Sequence, residues 1–249
     1  MIKTIILHHL LDMNDLPAAE RWFYRYHVPE VLRNHPVSYL SFRAVPPPPG
    51  AEAFGYFNYK VHENLNRGEG EQPLGYLSMT KEVVPLKVIM VNVPAAPTED
   101  FLGREASFAE RTIFRWLTVF RYPEGVSVEE GEDWYLNVHA PEVMKQPGLT
   151  RFFSYKVIAP PVAVEKVLPA FMHPQSTVSA NWHRVSELWY ENARGWVDSV
   201  IERPPQYTKP EWAKYDRYPF LEPGVDFAST FVLERPTDDW LRVVPPAYV

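Results

Sequence analysis

Trp22-Phe23-Tyr24-Arg25-Tyr26-His27-Val28-Pro29-Glu30-Val31-Leu32-Arg33-Asn34 lines up without a gap with Trp134-Tyr135-Leu136-Asn137-Val138-His139-Ala140-Pro141-Glu142-Val143-Met144-Lys145-Gln146, 112 residues further along (22 to 134). Five positions are identical, with Trp, His and Pro among them, and most of the others are conservative pairs. Chance does not produce such a match in so short a window, so the chain carries an internal repeat, and a repeat bounds the architecture before single elements are assigned. After a small length difference the likeness continues: Pro36 answers Pro147, and Ser41-Phe42-Arg43-Ala44-Val45-Pro46 answers Ser154-Tyr155-Lys156-Val157-Ile158-Ala159.

An apolar run rich in β-branched and aromatic residues precedes each copy, Ile2 to Leu11 and Thr112 to Tyr122, and reads as a strand. Acidic residues follow (Asp15; Glu129, Glu130, Glu132, Asp133) and favour a helix start, where free N–H groups carry partial positive charge. Each helix holds a Trp-x4-His segment, and the proline two residues past the histidine lacks a backbone donor and should kink or end the regular ladder. Strands are then expected at Tyr39–Val45 and Arg151–Ile158. The second copy continues with a strand at Trp182–Tyr190, a helix from Ala193 to Ile201 and a strand at Phe227–Leu233, which completes β-α-β-β-α-β. In the first copy strands are expected around Phe54–His62 and Val84–Val93 with no clear second helix, and Glu63 to Pro73 reads as a loop.

These patterns predict an α+β protein of two ferredoxin-like units, residues 1–108 (the degenerate copy) and 109–249. The bare faces of their sheets would be buried against each other as an α/β barrel within one chain, with a ligand-sized space between the sheets.

The composition fits: of 249 residues, 46% are hydrophobic and 14% aromatic, enough for a sizeable core. A net charge of −6 without a basic run removes the main driving force for nucleic-acid binding. The absence of cysteine rules out disulfides and thiolate chemistry and suits the cytoplasm. No segment reads as a signal peptide or membrane span, so no membrane partner is expected. The 26 prolines, clustered at 46–49, 160–161, 204–205 and 245–246, read as stiff connections.

The second copy, from Phe120-Arg121-Tyr122-Pro123 through Trp134-Tyr135 and His139-Ala140-Pro141 to Pro147-Gly148-Leu149, resembles the EthD-like family of the dimeric α/β-barrel superfamily, with later echoes in Glu187-Leu188-Trp189-Tyr190 and Trp196. The first copy departs from that pattern: it lacks Tyr-Pro at the strand end and has Pro36-Val37 in place of Pro-Gly. The resemblance implies the barrel, and a chemistry drawn from lactone isomerases, polyketide dehydratases or decarboxylases, cofactor-free monooxygenases or haem enzymes, most acting on small ring-derived molecules.

His139 is the first choice for acid/base catalysis, with His27 as its counterpart, because imidazole exchanges protons near neutrality. The competing reading is structural: a histidine before a helix-breaking proline can bond freed carbonyls. Glu30 and Glu142 lie near enough on the following turn to orient these rings, or stand as solvated carboxylates, since carboxylates are rarely buried unpaired. Strand alternation places His183, Val185, Glu187 and Trp189 on one face, so that His183 and Glu187 form either an assisting pair beside an aromatic wall or a cross-strand surface pair. His8 and His9 point to opposite faces. Tyr24, Trp134, Tyr135, Trp189 and Arg151 are candidate substrate contacts, with Arg151 suited to a carboxylate or enolate oxygen. Histidine spacing gives no metal motif, and nucleotide-binding or nucleophile-elbow motifs are missing, so neither metal nor cofactor is expected.

The expected function is a cofactor-independent lyase, dehydratase or isomerase acting on an aromatic or ring-derived carbonyl compound or lactone. The competitors are a haem enzyme with His173 or His183 as axial ligand, and a non-catalytic carrier of a hydrophobic metabolite. A homodimer is compatible with exposed sheet edges.

Overall fold

A computed structural model describes residues 1–67, 86–103, 113–158 and 182–242. The first unit contains β1 (Ile2–Leu10), a helix over residues 16–32, β2 (Ser38–Arg43), β3 (Lys60–Asn66) and β4 (Leu86–Pro94). A two-residue strand, β5 (Glu99–Asp100), follows. The second unit contains β6 (Phe114–Phe120), a helix over 128–143, β7 (Leu149–Lys156), β8 (Arg184–Tyr190), a helix over 193–202 and β9 (Phe227–Leu233), and then the short β10 (Asp238–Asp239).

Each unit forms an antiparallel sheet with its first strand in the centre. The orders are β10-β2-β3-β1-β4 and β5-β7-β8-β6-β9. Without the two short end strands, both are the ferredoxin-like arrangement, and the protein is two such units joined as a dimeric-α/β-barrel-type fold in one chain. The short strands are exchanged: β5 follows the first unit's last strand but pairs with β7, while β10 follows β9 and pairs with β2. Matching backbone bonds close both seams. Val45 N–H donates to Phe231 O and Ile158 N–H to Asn92 O, each at an equivalent point of the repeat.

Register extends the repeat to every strand. Lys3 faces Leu65 and Val93 as Arg115 faces Trp189 and Val232, and His8 faces Lys60 and Val88 as Phe120 faces Arg184 and Phe227. Three cores result: one between the sheets (Ile5, Leu7, Val61, Leu117, Val119, Val185), and one between each sheet and its helices.

Several expected boundaries shift. β3 runs on through Asn66, so Glu63 to Asn66 is strand and not loop, because its alternate residues are held between β1 and β2. Ala51–Phe54 is a short 3-10 turn. The stretch 67–85, where the first unit's second helix would fall, has only Arg67 within the described residues. The repeated segment does not break at its proline. It widens into a π-helix over Phe23–His27 and Tyr135–His139, with Val28 N–H reaching Phe23 O and Ala140 N–H reaching Tyr135 O. Pro29 and Pro141 cannot donate and their rings crowd the preceding turn; the wide turn absorbs both defects, and such turns are often found at functional sites.

Candidate active site

The space between the sheets is filled, not open. At its centre Arg115 Nη1 lies 2.7 Å from Glu63 and 3.5 Å from Glu187, and Lys3 Nζ lies 3.5 Å from Glu187 and 4.0 Å from Glu63. Two cations and two carboxylates from equivalent strand positions thus alternate about the pseudo-two-fold axis. Burial by itself would lower the Arg115 and Lys3 pKa values, but the carboxylates hold both above their ordinary range; Glu63 is held below its own, since Arg115 and Lys3 outweigh its burial. Glu187 is therefore committed to this quartet. Trp189 lies on the same face, with the Arg115 guanidinium 5.4 Å and the Arg151 guanidinium 5.6 Å from its ring. His183 precedes β8, accepts a hydrogen bond from Tyr122 N–H at Nδ1 (2.9 Å) and borders a surface cleft of about 780 Å³ beside the Arg121–Asp226 pair. His183 and Glu187 thus have separate partners, and the expected pocket between the sheets is replaced by a packed ionic core.

The remaining candidates fall into two chambers, each a packed layer of side chains between one sheet and its helix. In the second unit Trp134, Tyr135 and His139 come together: the His139 ring is 4.7 Å from Trp134, 5.7 Å from Tyr135 and stacked on Tyr218 at 5.6 Å. Burial lowers the His139 pKa to about 3, and its Nδ1 has no partner among the described residues. Tyr135 turns its hydroxyl away, to Ser154 and Ser186. The cavity left beside His139 is about 20 Å³, room for one water. Residues 203–226 close it as a strap. Glu142, near enough in sequence to orient His139, accepts from Thr208 N–H and Oγ1 and ties this strap down.

In the first unit, alternation turns His8 toward the helix and His9 toward Phe57 in the inter-sheet core. His8 meets His62 of β3 at 5.0 Å between ring centres, and His27 lies 5.9 Å from His62. All three rings surround Phe23, at 5.3, 4.9 and 4.5 Å for His8, His27 and His62. His8 is 3%, His27 4% and His62 0% exposed. Burial holds the His8 pKa down at about 3, helped by His27, and pushes that of His62 far below its usual value. The His8 ring hydrogen-bonds the Lys60 backbone, and His62 Nδ1 faces the Tyr39 hydroxyl at 2.9 Å; among the described residues His8 Nδ1 and His62 Nε2 have no hydrogen-bond partner. Tyr24 lies outside the chamber, 37% exposed and edge-on to Trp240.

His62 was not among the residues singled out from the sequence. The signal was there: Lys60-Val61-His62-Glu63 answers Arg184-Val185-Ser186-Glu187, and extending the repeat to the third strand would have exposed both His62 and Glu63. His173 lies outside the described residues. Among those described, no group of three or more His, Asp or Glu is arranged to hold a metal, and no helix is long and apolar enough to cross a membrane.

The fold is that of two ferredoxin-like units in one chain, each with a buried aromatic and histidine layer between its sheet and its helix. Residues 1–93, which hold the whole three-histidine cluster, are similar to the chalcone isomerase N-terminal domain family. A solved structure from Lactobacillus acidophilus NCFM described as a "putative monooxygenase" is similar over 93% of this chain and 92% of its own, at 14% identity and a TM-score of 0.35. No curated protein matches the chain.

Proposed function

We propose that this protein is a cofactor-independent isomerase or lyase that moves a proton within an aromatic or ring-derived carbonyl compound, and that the reaction takes place in the first unit. The carrying observation is the pair of buried imidazoles, His8 and His62, 5.0 Å apart, each with one nitrogen that has no hydrogen-bond partner among the described residues. The similarity of residues 1–93 to a domain of chalcone isomerases supports an aryl enone as the substrate class, and the resemblance of the second unit to the EthD-like family supports ring-derived carbonyl chemistry. The lack of cysteine supports a reducing compartment such as the cytoplasm.

The chemistry follows from burial. Both imidazoles are neutral at pH 7, so His8 Nδ1 presents a lone pair. Dry surroundings make it a weak base in the free protein, but an enolate developing beside it stabilises the imidazolium and restores its basicity when the proton must move. His8 takes the proton as base and its imidazolium returns it to the product, while the second imidazole, His62, donates a hydrogen bond to the substrate oxygen; no electron is transferred. Trp22, Phe23 and Tyr39 supply aromatic walls suited to a flat substrate.

The test is turnover of an ortho-hydroxychalcone, followed by loss of its absorbance. His8→Ala and His62→Ala should each lower kcat by about 100-fold, as loss of a general acid or base does, while His139→Ala stays close to wild type. Loss in His139→Ala with full activity in His62→Ala would move the site to the second unit. A wild-type protein that binds aryl enones and returns them unchanged would make it a carrier.

A further inference from the structure

The second unit reaches into the first unit's histidine cluster. After β9 the chain crosses the seam, Thr237 N–H donates to Ser41 O, and Trp240 N–H donates to Tyr39 O, so residues 237–240 form an added edge on β2. This places the Trp240 indole, 7% exposed, next to the Tyr39 ring at 6.3 Å, and its Nε1–H donates to Ser41 Oγ at 2.5 Å. Ser41 Oγ lies 3.3 Å from His62 Nδ1, the nitrogen that the Tyr39 hydroxyl also faces. An indole N–H can only donate. Ser41 therefore accepts from Trp240 and has its own proton left to give, and His62 Nδ1 is the acceptor within reach. The Tyr39 hydroxyl, closer at 2.9 Å, shares that single lone pair with Ser41 in a three-centre arrangement.

From this network we infer that Trp240 is a positioning residue that fixes the tautomer of His62, with Nδ1 bare and the proton on Nε2. The opposite tautomer would direct three donors, Trp240 Nε1–H, Ser41 O–H and Nδ1–H, at one small polar cluster and strand buried hydroxyl protons without an acceptor. The consequence is a division of labour that rests on the function proposed above: His62 Nε2–H is the donor to the substrate oxygen, and His8 Nδ1 is the acceptor. The second unit has no such relay, since Phe101 stands at the place of Trp240 and packs on Phe152 at 4.6 Å.

The experiment is long-range proton–nitrogen NMR of the histidine rings in the full chain, for wild type, Trp240→Phe and Ser41→Ala, with ortho-hydroxychalcone turnover measured on the same samples. Wild-type His62 should show a protonated Nε2 and a bare Nδ1. Both variants should shift His62 toward a tautomer mixture and leave His139 unchanged, and kcat should fall by about 10-fold or more with little change in KM, the scale on which outer partners of a functional imidazole act. Protonated Nδ1 in wild type, or an unchanged His62 pattern in both variants, overturns the inference. The spectra need no substrate: the expected tautomer shift in a protein that turns over no chalcone would uphold the role of Trp240 and overturn the function instead.

Discussion

His8, Tyr39 and His62 of the first unit occupy the strand positions held in the second by Phe120, Phe152 and Ser186. The shared frame keeps one histidine in each chamber, His27 and His139, at the end of the same π-turn. Around it the chambers have separated. The first collects imidazoles and a hydroxyl pair; the second collects aromatic rings and a strap that reduces its free space to a water's volume. A π-turn made by a helix proline is thus a property of the repeat, whereas reactive chemistry is a property of the residues facing that turn. The frame alone does not make a site.

The quartet at the pseudo-two-fold axis gives the strongest way to break this comparison. Arg115→Met leaves Glu63 and Glu187 buried with only Lys3 between them, and should cost about 3–5 kcal/mol of unfolding free energy in a denaturant melt. Lys3→Met should cost clearly less, because Lys3 sits farther from Glu63 (4.0 Å against 2.7 Å) and its side chain is 13% exposed against 4% for Arg115. Equal losses would mean that the two halves contribute symmetrically to their joint core.

Gly131 sharpens the comparison at the next level. It stands where the first unit has Ala19, and a Cβ there would lie 2.2 Å from the Tyr122 ring, whose counterpart in the first unit is Leu10. Gly131→Ala should destabilise by about 1–3 kcal/mol through overpacking, even though alanine is the better helix former, with the change read from the thermal midpoint. A neutral result would show that the Tyr122 ring moves aside and that the packing difference between units is soft.

Acid unfolding gives the smallest effect. The folded pKa of His8 is depressed to about 3, and that of His62 is depressed too, while the unfolded chain titrates near the ordinary histidine value, about 6.5. Below that value the unfolded state binds more protons, so the stability contributed by the neutral buried rings is complete above about pH 6.5 and is lost as pH falls toward about 3. The double change His8→Phe, His62→Ser, which gives the first chamber the second's residues, should move the acid midpoint down by roughly half a pH unit. An unmoved midpoint would mean that His139 and the carboxylates dominate the transition.

The repeat was legible because its markers, Trp, His and Pro, are constrained by local geometry: the proline forces the turn, and the histidine and tryptophan sit at fixed offsets from it. Strand positions in the second unit were legible for a similar reason, since uninterrupted apolar runs such as Phe227–Leu233 admit few other readings. β3 was harder to see. Lys60-Val61-His62-Glu63-Asn64-Leu65-Asn66 looks polar because Lys60, His62 and Glu63 find their partners, Glu20, Tyr39 and Arg115, on segments far away in sequence or in the other unit.

The amino-acid order by itself determined the duplication, the α+β class and the candidate status of His27 and His139, because these depend on periodicity and on the local behaviour of proline. Tertiary structure alone decided that Glu187 belongs to a buried quartet, that His139 is sealed beneath a strap, and that His8, His27 and His62 converge. Those outcomes depend on contacts across strands far apart in sequence, between units related by a pseudo-two-fold axis, and on a final segment that carries Trp240 from one unit into the other.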